Sequence, residues 1–237
     1  MQLFYSSHRE GDYFYLDAEE ARHMYKVLRK EVGDFIQIMD GQGGRFTCSI
    51  EQISKTKCVL KIEEIHPLDS HRGGHIHIGL APTKNNARTE WFLEKATELG
   101  LGKCSFFSSQ HSERIKIRLD RLEKIVLSAS KQSYNLYLPV LEELQPLKKL
   151  LEEAKDFKGN KYIAYCGEEF SKQPLKSLYK GALQPTMILI GPEGDFTPSE
   201  VELAQEYDFQ PITLGTSRLR TETAALIAVH SIHLLDS

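Results

Sequence analysis

MILIGPEGDFTPSEVELAQEYDFQPITLGTSRLRTETAALIAV, residues 187–229, is the stretch on which the fold turns. Its apolar start, 187–190, runs into Gly191-Pro192-Glu193-Gly194, the pattern of a buried strand entering a tight turn. A helix start follows. Thr197 can cap, Pro198 suits the first helical position, and Glu200 sits three residues after the cap to close a capping box. Phe196 and Val201 flank that cap at the spacing of a hydrophobic staple. Beyond the helix come a short strand at 212–214, a loop at 215–220 and a final helix from about Thr221. Two strands thus emit two loops on one side of a sheet, where open α/β sheets bind ligands.

An isolated Gly-Pro-Glu-Gly is more often a tight turn and nothing else. Two features argue for more. Glycine at a strand's C-terminal end lets a flat ligand approach main-chain N–H and C=O groups closely. The second loop then brings Arg218, Arg220 and Glu222 to the head of an almost wholly apolar helix, where charges need a partner or a substrate.

The bulk composition is ordinary. The chain has 237 residues, of which 41% are hydrophobic and 27% charged, values that fit a folded globular protein of one large or two modest domains. No apolar run approaches the roughly 18 residues of a membrane span, and the first residues show no signal-peptide core, so no membrane association and a cytoplasmic location are expected. Cys48, Cys58, Cys104 and Cys166 are scattered without paired spacing, which predicts buried free thiols and no metal site. His75 and His77 alternate along a strand and read as a surface face. The net charge of −3 does not advertise nucleic-acid binding, but residues 71–135 carry 11 basic against 6 acidic side chains while both flanks are acidic. A solvated helix face or a local phosphate-binding face explains that equally.

Residues 1–68 read as strands around one helix. Aromatic-rich segments at 3–5 and 13–16, and strands at 35–39, 45–53 and 57–65, surround a helix at 18–28 with Asp17 and Glu20 as a capping-box pair. A glycine-rich connection, 40–44, makes a hairpin. Small β-barrels of this kind bind oligonucleotides, and Arg22, Lys26, Arg29 and Lys30 along the helix suit either solvent or an RNA groove. The composition of 67–74 is that of a linker, which places a domain boundary there, with domains at 1–70 and 71–237. Strands at 76–80, 104–108, 161–166 and 187–190 then alternate with helices at 89–99, 119–130 and 146–154, the signature of a parallel sheet covered on both faces. No G-x-G-x-x-G follows the first strand, and neither a P-loop nor a G-x-S-x-G is present, so dehydrogenase, P-loop NTPase and hydrolase readings lose their motifs.

IGPEG, LG-x-x-x-LRTETA, EKATELG and the SER at 112–114 together resemble the bacterial 16S ribosomal RNA uridine-N3 methyltransferases. The resemblance spans nearly the whole chain. It implies an α/β C-terminal domain of the SPOUT class, a parallel sheet with a deep trefoil knot, and a small N-terminal PUA-like β-barrel. It further implies S-adenosylmethionine as cofactor, 16S rRNA within the small ribosomal subunit as partner, and a homodimer. Carried over by motif, the cofactor loops would use Tyr165 and Cys166; Ile190, Gly191, Pro192, Glu193 and Gly194; and Leu214, Gly215, Leu219, Arg220, Thr221, Thr223 and Ala224. RNA-facing positions would be His23, Arg29, Lys30, Lys84, Arg88, Lys95, Glu98, Ser112, Glu113, Arg114 and Gln132. The chain departs from the family pattern at Asp195, where a third glycine is common, at Ser217 and Arg218, and at Tyr134-Asn135-Leu136-Tyr137, which stands where G-R-x-R is usual.

On this resemblance Arg220 and Glu222 would be the catalytic pair. Methylation at N3 needs loss of the imide proton and stabilisation of negative charge on the uracil carbonyl oxygens. Arg220 presents a planar fork of donors to such oxygens. Glu222 is either the base or the group that orients Arg220, and a carboxylate beside an arginine is a weakened base, which favours the orienting role. The alternatives are a non-catalytic RNA-binding protein that keeps the fold and a different α/β enzyme acting on a nucleotide or sugar phosphate, for which the sequence offers no phosphate cradle.

Overall fold

The computed structural model describes residues 3–68 and 73–236, so part of the predicted linker, 69–72, lies outside the described residues. The chain divides into two compact units: one holds the residues up to 68 with Leu127–Leu138, the other residues 73–126 and 139–236.

In the N-terminal unit the strands are β1 (Leu3–Tyr5), β2 (Arg9–Glu10), β3 (Tyr13–Leu16), β4 (Phe35–Met39), β5 (Arg45–Ile53) and β6 (Cys58–Ile65), with helix α1 (Ala18–Lys26) after β3. They form one six-stranded mixed sheet in the order β1-β4-β5-β6-β3-β2, with β1 and β4 parallel and the other pairs antiparallel. Alternate residues of β5, Phe46, Cys48 and Ile50, point into a core shared with Phe14, Ile38 and Leu60, onto which α1 sets Ala21 and Met24. That period-two burial is what fixes the register. Asp17 caps α1 by accepting the Glu20 N–H at 2.8 Å. The predicted capping box is only half made, because the Glu20 carboxylate turns to Lys131 instead.

The C-terminal unit contains β7 (Ile76–Leu80), α2 (Asn86–Glu98), β8 (Lys103–Ser108), α3 (Leu119–Ser133, whose end joins the N-terminal unit), β9 (Val140–Pro146), α4 (Leu147–Glu153), β10 (Asn160–Ala164), β11 (Gln173–Pro174), α5 (Leu175–Leu178), β12 (Thr186–Ile190), α6 (Pro198–Glu206), β13 (Gln210–Thr213) and α7 (Thr221–Leu235). The seven strands are all parallel, in the order β11-β13-β10-β12-β7-β8-β9. Every residue of β7 and β12 is buried, as central strands covered on both faces require. Helix α7 packs on α2, β7 and β12, although it follows β13 on the far side of β10. The connection 214–220 therefore carries the chain back past the end of β10.

One expectation fails here because of long-range partners. His75 and His77 are not a surface face: the His75 ring bonds Asp236 at 2.8 Å, and buried His77 bonds Ser105 at 2.6 Å. Burial lowers the His77 pKa to about 4, so the ring is held neutral. Among the described residues no helix is long and apolar enough to cross a membrane.

Candidate active site

Strand β12 delivers Ile190 to the C-terminal edge of the sheet, where the Gly191–Gly194 turn begins. A Cβ on Gly191 would lie 3.0 Å from two ring carbons of Phe196, and that ring is itself stacked on Phe107 in the core. A Cβ on Gly194 would lie 2.9 Å from the Cβ of His111. Close packing thus leaves no room for a side chain at Gly191 or Gly194, and of the turn Gly191, Pro192 and Glu193 line a cavity. The His111 ring donates through Nδ1 to the carbonyl oxygens of Gly194 and Asp195 at 3.0 and 3.1 Å, and the Glu193 carboxylate accepts the Lys84 N–H at 3.0 Å. The box predicted at the start of α6 is complete: Thr197 and Glu200 exchange side-chain and backbone bonds. It fixes where the turn ends.

This turn, the loop after β10 and the connection from β13 to α7 line one cavity of about 820 Å³. Of the predicted cofactor residues, all but Gly194 and Thr223 are on its wall. Sequence reasoning did not select Lys172 or Thr213, which also line it, and it counted Asp195, Ser217 and Arg218 only as charge or as departures. Nothing in the local pattern marks Lys172. Its ammonium lies 5.7 Å above the Tyr165 ring and bonds the Cys166 carbonyl at 3.0 Å. Tyr165 is buried and donates to Glu169 at 2.7 Å; burial, then the Glu169 carboxylate, push its phenol up to about 12. Cys48, Cys58 and Cys104 are buried as expected, but Cys166 is exposed, because its loop leaves the sheet at the cavity mouth. Its thiol is still raised above the ordinary value, by partial burial first and by the Asp195 charge next.

Arg220 precedes α7, exposed on the cavity wall, and among the described residues its guanidinium makes no hydrogen bond or ion pair. Glu222, in the first turn of α7, is buried, with Oε1 3.7 Å from Arg88 Nε and Oε2 without a hydrogen-bond partner. The cation beside Glu222 is therefore Arg88, not the Arg220 that sequence proximity suggested. Arg88 stands in the first turn of α2, near a group on the loops after β7 and β8: Lys84 pairs with Glu113 at 2.7 Å, Arg114 donates to the carbonyls of Thr83 and Lys84, and Ser112 accepts the Ser109 N–H at 2.9 Å. Glu113 raises the Lys84 pKa, first through their hydrogen bond. Lys95 and Glu98 lie two turns further along α2 and pair with each other at 2.9 Å. In the N-terminal unit, Arg29 is exposed with its backbone in the left-handed region at φ 52°, Lys30 reaches Asp34 at 3.6 Å, His23 is half-buried and Gln132 exposed.

Comparison with known proteins decides the family. A family model described as an RNA methyltransferase domain matches residues 70–233, and one described as an RNA methyltransferase PUA domain matches 16–63. The chain belongs to the RNA methyltransferase family. Among relatives of this RNA methyltransferase, the ribosomal RNA small subunit methyltransferase E of Bacillus subtilis is 31% identical over 94% of this chain and 90% of its own. A probable rRNA-methyltransferase from Porphyromonas gingivalis has a solved structure that is 38% identical, with a TM-score of 0.89, covering 100% of this chain and 98% of its own. The ribosomal RNA small subunit methyltransferase E of Neisseria gonorrhoeae, solved bound to S-adenosyl methionine, is 26% identical at a TM-score of 0.82, covering 99% and 98%. The fold of this RNA methyltransferase is accordingly the SPOUT-like α/β domain with a PUA-like N-terminal domain.

Proposed function

We propose that this chain uses S-adenosylmethionine to methylate N3 of a uridine in 16S rRNA of the small ribosomal subunit. One observation carries the reading: three loops that are remote in sequence close on a single cavity, with an unpaired arginine on its wall. The cavity falls within the roughly 300–1,000 Å³ of small-molecule sites, and Gly191 lines it without a side chain, so the residues fit an adenosyl cofactor. The Gly191–Gly194 turn, Tyr165, Cys166 and the 214–224 segment would hold it. When bound, it supplies an electrophilic methyl group on a sulfonium.

The chain's own residues supply the rest. Arg220 neutralises charge developing on the uracil carbonyl oxygens, and having no protein partner it needs none displaced. Glu222 Oε2 is a buried acceptor lacking a donor, and its role is to take the imide proton or a hydrogen bond from the base, with Arg88 holding the other oxygen. Lys84 and Arg114 belong to the RNA face of this unit. The RNA face of the N-terminal unit is Arg29, Lys30 and His23, within the proposed domain 1–70, with the exposed Gln132 from the end of α3. The left-handed Arg29 costs roughly 1 kcal/mol of backbone strain, the kind of expense retained at binding surfaces. The active protein is a cytoplasmic homodimer in this reading. The complete cavity argues against a binding protein that has lost catalysis. Incubation with small-subunit rRNA and methyl-labelled S-adenosylmethionine, followed by mass mapping of nucleotides, tests the reading. Label at N3 of one uridine supports it, and no incorporation above a protein-free control removes it.

A further inference from the structure

Asp195 lies at φ 62°, in the left-handed region that suits glycine first and Asn or Asp next. Bonds to three parts of the chain hold it there. Its Oδ2 accepts the Cys166 N–H at 2.9 Å, from the loop after β10. Its Oδ1 accepts the Phe196 N–H at 2.9 Å, which turns the chain toward α6. Its carbonyl accepts from the His111 ring at 3.1 Å, from the loop after β8. Lys172 also bonds the Cys166 carbonyl, but as a brace within that loop and not as a link to the glycine turn.

We propose that Asp195 is a positioning residue that sets the gap between the Cys166 loop and the Gly191–Gly194 turn, and with it the affinity of the cavity for the adenosyl ligand. The proposal rests on the cofactor reading above. A carboxylate accepting a backbone N–H makes a stronger bond than a neutral acceptor, and here the bond ties two walls of one cavity. A glycine at this position would be the more relaxed residue, yet it would leave the walls untied. Backbone comfort and pocket geometry thus pull in opposite directions at residue 195, and the aspartate serves the second.

The test compares the full-length protein with Asp195→Asn and Asp195→Gly. Asparagine keeps an acceptor oxygen and tolerates the left-handed region; glycine is unstrained there but has no acceptor. Three quantities are read: melting temperature, S-adenosylhomocysteine affinity by calorimetry, and the pH dependence of iodoacetamide alkylation without ligand. Alkylation of the native protein reports Cys166, because the other three thiols are buried. Asp195→Gly is expected to melt near the parent but bind about tenfold more weakly, the equivalent of one lost charge-assisted bond. Its Cys166 should react at lower pH, since the negative charge is gone while Arg218 and Lys172 remain. Asp195→Asn, with one acceptor oxygen for the two N–H groups of Cys166 and Phe196, should bind between the parent and the glycine variant. A folded Asp195→Gly with parental affinity overturns the proposal. If the parent itself fails to bind, the cofactor reading falls, and the alkylation arm then judges the tie alone: unchanged Cys166 reactivity in Asp195→Gly refutes it.

Discussion

The pairing of Glu222 separates two accounts of this site, and a double-mutant cycle measures it. Glu222 Oε1 lies 3.7 Å from Arg88 Nε, with the glutamate side chain 9% exposed and the arginine 36% exposed. Exposed pairs are worth roughly 0.2–1 kcal/mol, whereas removing one partner of a fully buried pair costs about 3–5 kcal/mol. The long separation and the half-open arginine place this pair near the lower limit, so a coupling of about 1 kcal/mol is expected. Arg88→Ala should be the more damaging single change, roughly 2 kcal/mol, because it leaves a buried carboxylate with neither oxygen compensated. Glu222→Gln removes the charge with little change of shape and should cost about 1 kcal/mol or less, in part from the lost favourable position in the first turn of α7. The double variant should be more stable than the sum of the two losses implies. Melts of the four proteins read this directly, since for chains of this size about 1 kcal/mol moves the midpoint by about 2–4 °C. A second cycle with Arg220→Ala should be additive within about 0.5 kcal/mol, as no ion pair joins Arg220 to Glu222. Coupling to Arg220 and none to Arg88 would refute the assignment and restore Glu222 as the residue that orients Arg220.

Three further outcomes follow from the same geometry. Arg220→Ala should bind S-adenosylhomocysteine within about threefold of the parent while methyl transfer falls by a factor on the order of 10² to 10³, the usual loss for one oxyanion donor; calorimetric loss of binding would make Arg220 a cofactor residue instead. Arg29→Ala should weaken RNA binding and reduce the salt slope by about one phosphate contact, and an unchanged slope in filter binding would take Arg29 off the RNA surface. His77 has a folded pKa of about 4, below its ordinary 6.5, so its contribution is present above pH 6.5 and lost as pH falls toward 4. Protonation of that buried ring should remove on the order of 3 kcal/mol across this window, and His77→Gln should flatten the fall in melting temperature, which a parallel pH series of both proteins would contradict if their slopes coincide.

What was legible in the sequence is what local chemistry determines. Strand β12, the capping box at Thr197 and Glu200, and the pair of loops that bracket them follow from neighbouring residues, and the cavity forms where those loops meet. Strand β9 escaped because an edge strand carries a weak pattern: its residues are half-buried or exposed, and Glu142 is occupied by Lys103 and Ser105 from the next strand. Glu20, His75 and His77 differ from expectation together. Each has its partner far along the chain, at Lys131, Asp236 and Ser105, and a buried polar group with a distant partner is indistinguishable in sequence from a solvated one.

The segment Tyr134-Asn135-Leu136-Tyr137 shows how a departure from a family pattern acquires a physical reason. It lies in the N-terminal unit, against the glycine-rich hairpin between β4 and β5. Gly43 N–H donates to the Leu136 carbonyl and Leu138 N–H to the Gly41 carbonyl, both at 3.0 Å. Gly41 and Gly43 have φ of 78° and 94°, and a Cβ on Gly43 would sit 2.3 Å from the Tyr137 ring. The hairpin glycines thus serve two ends, the turn itself and the tyrosine that lies on it. Leu136 completes a buried cluster with Leu3 and Met39, and Lys131, one turn earlier, pairs with Glu20 on α1. An arginine at residue 137 that reached for a phosphate would leave Gly43 without the ring that covers it. Here the segment clamps its own domain. In the proposed reading, RNA contact near this segment would come from side chains outside the clamp, such as the exposed Gln132.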